Sequence, residues 1–414
     1  MEKRKDSHNV ILKTGECQRK DGRYQYCWTD KKHKRNYVYA DTLKELREKE
    51  KEVEKDILDG MKIEAKYMLV NDMYERWKTV KRGIRNTTFE NYTYMYDTFA
   101  KDTIGRKRIC DVQKSDIRQY YNNLVDYRGL KASTVDTIQT VLFQVFQMAV
   151  DDLYIRVNPC VNALKELKRT AAFSTEKRKA LTRDQQDLLL RYLRETPKHM
   201  RWYPVFAIFL GTGMRVGELT GLRWCDVNLE EGYINVDHTL VYCQHRNEEY
   251  KKGCYYSIHS TKTSSGIRRI PMMDFVKEAF ELEREYQITE RHDGKSIVID
   301  GYTDFIFINR EGGIHNQGTL NSVIKRIIRD CNYAEFDKCD QPKVLLPNFS
   351  CHHLRHSFAT RMCEQGVNIK VIQDVMGHAD ISTTMNIYTD VTEGLKKDEF
   401  KSFEQSFGPS QAQE

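Results

Sequence analysis

The sequence predicts a multidomain chain: a small α+β module, then an all-α domain, then a mixed α/β domain that is mainly helical. Three observations predict it. The 414 residues exceed one typical domain. An aromatic stretch of period two near the start gives way to long stretches of helical period. A basic segment without apolar periodicity then separates these from a region where strand and helix patterns mix. The boundaries read as 1–62 for the first module, 66–165 for the helical domain, 166–180 for a linker, 181–395 for the mixed domain and 396–414 for a tail.

In the first module, Arg23-Tyr24-Gln25-Tyr26-Cys27-Trp28 alternates as a half-exposed strand does. A turn rich in Asp and Lys leads to Asn36-Tyr37-Val38-Tyr39, a second strand, and Thr42-Leu43-Lys44-Glu45 has the form of a capping box opening a helix to about Asp59. The first 40 residues hold eleven Lys or Arg against five Asp or Glu, so basic side chains flank an aromatic sheet. That sheet is either a solvated hairpin with a packed aromatic face or a surface for a polyanion.

In the second domain, a cap at Ser133 precedes Val135, Ile138, Leu142, Val145, Phe146 and Ala149 at helical spacing, a core stripe, and Asn158-Pro159 is a turn signal. In the third, Leu181-Thr182-Arg183-Asp184-Gln185 opens a helix with a Thr cap and Tyr233 to Asp237 reads as a strand. The segments Tyr255 to Thr263 and Ile267 to Pro271 bracket Ser264-Ser265-Gly266 in a hairpin pattern.

Bulk properties narrow the function classes. A net charge of +7 suits a polyanion partner without requiring one. Eleven scattered cysteines, with no CxxC pair, argue for a reducing compartment and against a disulfide framework or zinc ribbon. The start lacks an apolar signal region, and runs such as Val205 to Leu210 are far too short for a membrane span. A cytoplasmic protein without membrane contact is expected.

Three motifs carry chemistry: Gly211-Thr212-Gly213-Met214-Arg215-Val216-Gly217-Glu218-Leu219, Cys351-His352-His353-Leu354-Arg355-His356, and Met376-Gly377-His378 leading to Tyr388. Cutting a phosphodiester without a metal needs the anion neutralised, a nucleophile activated and a proton delivered to the leaving oxygen. Arg215 and Arg355 meet the first need, because a guanidinium fork matches phosphate oxygens and stays charged. Losing one such donor typically slows a reaction by roughly 10²–10³. Glu218, one helical turn from Arg215, is placed to orient it, or forms an ordinary surface pair. His352 and Arg355 share a helical face, and His352 is the candidate for proton transfer at the attacking hydroxyl. His378 follows a helix with a glycine stop and is the candidate phosphate donor. Tyr388 is the candidate nucleophile, singled out from 24 tyrosines by its spacing from His378. Lys262, near a hairpin tip, is the candidate proton donor to the leaving oxygen. Cys351, His352, His353 and His356 resemble metal ligands, but the metalloprotease pattern requires Glu where His353 stands. No metal and no cofactor are expected.

Taken in order, Arg215, Lys262, His352, Arg355, His378 and Tyr388 resemble the motifs of the tyrosine recombinase, or phage integrase, family over about 181–395. The amino end, Ile11-Leu12-Lys13-Thr14-Gly15-Glu16 with Arg19-Lys20-Asp21-Gly22-Arg23-Tyr24, is similar to integrases of conjugative transposons. The resemblance implies a three-stranded sheet plus helix binding arm-type DNA, a helical domain binding core DNA, and a catalytic domain. It implies that Tyr388 attacks the scissile phosphate, giving a 3′-phosphotyrosyl bond and a free 5′-hydroxyl. Reversal by a partner strand, twice through a Holliday junction in a homotetramer, then exchanges duplexes without ATP or metal. Arg19, Lys20, Arg23, Tyr24, Tyr26, Lys34 and Arg35 are the candidate arm-DNA contacts, and a directionality factor is a further candidate partner. The tail phenylalanines Phe400, Phe403 and Phe407 pack either in cis or on a neighbouring subunit. The sequence departs from the family at Cys351 and His353, where Thr and an acidic residue are usual, and at Met376 in place of Leu. A type IB topoisomerase shares the chemistry, and a non-catalytic DNA-binding protein is the other alternative; the basic module favours integration over relaxation.

Overall fold

Period-two alternation builds the first sheet. In the computed structural model, strands β1 (Glu16–Gln18), β2 (Tyr24–Thr29) and β3 (Arg35–Ala40) pair antiparallel in that order. The helix α1 (Leu43–Leu58) covers one face. The described residues are 4–29, 33–170, 179–244, 253–260, 266–290, 294–387 and 389. Part of the Asp- and Lys-rich turn, most of the linker, Lys262 with Ser264 and Ser265, Tyr388 and the whole tail lie outside them. The chain forms two units, Met1–Glu176 and Lys177–Glu414.

The pleat corrects the assignment of the aromatic residues. Tyr24 and Ala40 of the sheet are buried with Leu46 of α1, and Tyr26 and Val38 of the sheet and Leu43 of α1 pack against them. The Tyr24 hydroxyl donates to Asp6 at 2.9 Å. Tyr24 is therefore a core aromatic and is not available as a DNA contact, and Tyr26 is half-buried on the same covered face. Residues Arg35, Tyr37 and Tyr39 alternate onto the opposite, exposed face. The capping box at Thr42 is half realised: the Thr42 hydroxyl accepts the Glu45 N–H, while the Glu45 carboxylate pairs with Lys49 at 2.6 Å.

The helical part of the first unit comprises α2 (Val70–Val80), α3 (Asn86–Met95), α4 (Lys114–Asp126) and α5 (Ala132–Asp151). Every member of the predicted α5 stripe, from Val135 to Ala149, is buried. The cap differs from the expectation. Lys131 is the extended residue before the helix, and Ser133 lies inside its first turn. Asn158 anchors the turn that follows by donating to Phe143 O and Gln147 Oε1.

The second unit opens with α6 (Arg183–Glu195), where Thr182 and Gln185 form a reciprocal capping box. All ten residues of α7 (Tyr203–Thr212) are buried, so it is the central helix of the core. Then come α8 (Val216–Thr220), β4 (Val227–Asn228), β5 (Tyr233–Val236), β6 (His238–Gln244), β7 (Cys254–Ser260) and β8 (Arg268–Pro271). The predicted hairpin is re-paired: β7 joins β6, whereas β8 joins β5 with Ile270 opposite Ile234, both buried in the core. Burying that isoleucine pair outweighs the local turn signal. The remaining helices are α9 (Asp274–Glu290), α10 (Gln317–Lys338), α11 (Cys351–Glu364) and α12 (Ile369–Met376). No helix among the described residues is long and apolar enough to cross a membrane.

Gly213 ends α7 in the left-handed conformation, with φ of 59°, and a Cβ there would lie 2.3 Å from the Phe358 ring. Gly213→Ala is expected to destabilise the protein by about 1–3 kcal/mol, measured as a lower midpoint in chemical denaturation. An unchanged midpoint would show that the Phe358 ring moves aside freely.

Candidate active site

Arg215 is placed by the turn that Gly213 makes. It is the residue before α8, and Glu218 sits in the third helical position. Glu218 Oε2 accepts the Arg215 backbone N–H at 2.8 Å, and Oε1 accepts Nη1 of the same arginine at 2.8 Å. The three-residue spacing is thus a helix cap that also aims a guanidinium. Arg215 stays 42% exposed while Glu218 is 2% exposed.

A second arginine, absent from the sequence reading, shares that carboxylate. Arg268 Nη2 donates to Oε2 at 2.7 Å and Nη1 to Oε1 at 3.2 Å. A signal for it existed: Arg268 is two residues from buried Ile270 and so faces inward, whereas Arg269 faces out and stacks on Tyr233. Burial alone would push the Glu218 carboxyl up; Arg268 and then Arg215 overrule it and hold it below the ordinary value.

The end of α12 gathers the arginines. Arg268 Nε donates to Val375 O at 2.7 Å, Arg355 Nη2 to Met376 O at 2.6 Å, and Arg215 Nη2 to Gly377 O at 2.6 Å. Arg355 is buried on α11 and also donates from Nη1 to Gly213 O at 2.6 Å. These carbonyls are the negative end of a helix, where cations are favoured. Burial, with Arg215 nearby, pushes the Arg355 guanidinium down to about 9, still above neutral pH, so it remains a cation.

Gly377 ends α12 with φ of 63°, and His378 leaves the helix directly beside this cluster. Its Nδ1 lies 2.9 Å from the hydroxyl of Thr384, which is fully buried. With the hydroxyl donating, the ring proton sits on Nε2, available to an anion. Burial, then Arg355, Arg215, Arg268 and His352, push the His378 imidazole down to about 4. It is neutral at physiological pH. His352 is exposed at the start of α11.

The departures at the second motif have local causes. His353 Nδ1 accepts the Ser350 N–H at 3.2 Å, completing a capping box as an acidic residue would. Cys351 is buried, and burial pushes its thiol up to about 12, so it is an inert packing group. Met376 is 1% exposed, filling the core between α11 and α12. The structure therefore brings Arg215, Glu218, Arg355, His378 and His352 to one site. Lys262 and Tyr388 lie outside the described residues. Among those residues, Asp226, Asp237 and His238 form the one group spaced as metal ligands, and both ring nitrogens of His238 are already hydrogen-bonded, to Asp237 and to Gly221 O.

A model of the phage integrase family matches residues 179–394, the segment that builds this site. The chain belongs to the phage integrase family. It is a tyrosine recombinase of the conjugative-transposon type, a site-specific DNA recombinase. A second model, the DNA-binding domain of Tn916 integrase, matches residues 1–57. The integrase is 31% identical over 404 residues, 94% of each chain, to the transposase from transposon Tn916 of Enterococcus faecalis. It is 25% identical over 361 residues, 86% of this chain and 88% of the other, to a XerC-like tyrosine recombinase of Caldanaerobacter subterraneus subsp. tengcongensis. Among solved structures, the Tn1549 transposon integrase in complex with circular intermediate DNA matches with a TM-score of 0.66 at 26% identity, covering 80% of this chain and 99% of that one. A lambda integrase tetramer bound to a Holliday junction matches with a TM-score of 0.52 at 18% identity, covering 90% and 94%, which shows a shared fold.

His378 carries a pH signature. Its folded value near 4 lies below the unfolded value of about 6.5. Between those values the unfolded chain takes up a proton that the native site refuses, so stability falls as pH drops through that window. His378→Gln is expected to make the pH dependence of the melting temperature shallower between about pH 4 and 6.5. An unchanged slope would show that the ring titrates normally.

Proposed function

We propose that this integrase recombines duplex DNA through transesterification at Tyr388. One observation carries the reading: Arg215, Arg355 and His378 come from three distant segments and converge at the end of α12. On this reading the two guanidiniums and the Nε2–H of His378 bind the non-bridging oxygens of the scissile phosphate. Negative charge that grows on those oxygens in the transition state meets fixed, water-poor donors. The Tyr388 oxygen attacks phosphorus and the bond to the 5′-oxygen breaks. The phenol proton leaves toward His352, and Lys262 protonates the 5′-oxygen. The 3′-phosphotyrosyl ester stores the bond until a 5′-hydroxyl from the partner duplex attacks it and frees Tyr388. Glu218 orients Arg215 throughout.

The Tn1549 integrase complex with circular intermediate DNA and the lambda integrase tetramer on a Holliday junction support a DNA partner and a tetramer; the arm site, the cytoplasmic setting and the directionality factor are our own assignments from the sequence. We assign to this chain core and arm sites on double-stranded DNA, a homotetramer at a Holliday junction, a cytoplasmic setting and a directionality factor as partner. We assign the arm site to the open face of the first sheet. Arg35, Tyr37 and Tyr39 share that face, and Arg19 lies 5.3 Å over the Tyr39 ring. Lys20, Arg23 and Lys34 are exposed nearby and extend the basic rim.

Tyr388→Phe is expected to abolish the covalent adduct on a suicide DNA substrate and leave DNA affinity nearly unchanged; an adduct surviving in this variant would move the nucleophile elsewhere. Arg35→Ala is expected to weaken arm-site binding about tenfold, while Tyr24→Phe, on the covered face, leaves it within twofold. Equal losses from both, measured by anisotropy titration, would reject the face assignment.

A further inference from the structure

Arg268 has no role in the chemistry described so far, yet its geometry departs from that of a spare structural ion pair. Glu218 is one carboxylate shared by two guanidiniums, with four donors on its two oxygens at 2.7–3.2 Å. The partners differ in access: the Arg268 side chain is 5% exposed and that of Arg215 is 42% exposed. All three guanidinium nitrogens of Arg268 already donate within the protein, Nε to Val375 O, Nη1 to Glu218 and Gly266 O, and Nη2 to Glu218, so Arg268 is committed to Glu218 while Arg215 keeps an exposed edge for a phosphate.

We infer that Arg268 is a positioning residue for strand cleavage, neutralising Glu218 so that the charge of Arg215 remains uncompensated toward the scissile phosphate. The inference rests on the assignment of Arg215 to that phosphate. Without Arg268, Arg215 and Glu218 form a pair whose charges cancel at close range in a partly desolvated site. An approaching anion then meets a weak dipole instead of a cation. With Arg268, the buried carboxylate is balanced from behind and the group of three carries a net positive charge. Glu218 can then aim Arg215 without masking it. The Nε bond to Val375 O completes the arrangement, because it ties the balancing charge to the helix whose next two carbonyls hold Arg355 and Arg215.

A role confined to holding the fold and a role in charge balance predict different outcomes when Glu218 is neutralised as well. The experiment measures the single-turnover rate of covalent adduct formation on a suicide substrate by the full-length integrase. Rates are scaled to the folded fraction from near-ultraviolet circular dichroism. Arg268→Met is expected to slow the adduct by roughly 10². Adding Glu218→Gln to Arg268→Met removes the masking charge and is expected to recover at least tenfold of that loss. Glu218→Gln alone, which leaves both cations, is expected to be less damaging than Arg268→Met, and Arg268→Lys to fall between wild type and Arg268→Met. A double variant as slow as Arg268→Met, or Glu218→Gln slower than Arg268→Met, overturns the inference. If Arg268→Met does not fold, Arg268→Gln replaces it in both arms; if the double variant does not fold, the comparison of single variants decides. Arg215→Ala separates the levels. If it forms adduct at the wild-type rate, the phosphate assignment itself fails; if it is inactive and the rescue is absent, only the inference about Arg268 fails.

Discussion

Three consecutive carbonyls at the end of α12 organise the active site. Val375, Met376 and Gly377 have no partners further along their own helix, and each accepts from a different arginine. The arginines come from β8, α11 and the turn before α8, so one helix terminus gathers groups from across the second unit. Like charges held this close repel one another. The helix end, with its partial negative charge, and the Glu218 carboxylate offset that repulsion. The same short stretch of backbone then turns at Gly377 and delivers His378 beside the cluster.

This concentration of positive charge explains the state of His378. An imidazole beside buried cations is held neutral, and a neutral ring carries one proton: with the Thr384 hydroxyl donating to Nδ1, that proton is left on Nε2. The residues that would bind a phosphate thus set the protonation state of their neighbour without any titrating switch. Arg355, by contrast, stays a cation despite its burial, and its two backbone acceptors satisfy part of the guanidinium and leave further donors for an anion.

The first unit solves a different problem, that of a small sheet which must be both stable and open. The aromatic residues are divided by the pleat. Tyr24 forms the core with α1, Tyr26 packs half-buried on the same covered face, and Tyr37 and Tyr39 stand on the exposed face. Buried Glu16, bonded to Arg47 of α1, ties sheet to helix on the covered side. Basic residues are then left to the open side and the rim.

Much of this was legible in the sequence because it depends on local chemistry. Helix periods marked α5, a Thr cap marked the start of α6, and a glycine marked the left-handed end of α12. The motif spacing was enough to name Arg215, Glu218, His352, Arg355 and His378. What the sequence left open depended on which surfaces meet. Whether Tyr24 or Tyr37 faced outward turned on the side that α1 covers, since alternation alone assigns two faces without saying which is buried. The partner of β8 was decided by the burial of Ile270 against Ile234, a contact between residues far apart in the chain. Arg268 and Thr384 stayed hidden for the same reason: their roles lie in partners, Glu218 and His378, that only folding brings within hydrogen-bonding distance.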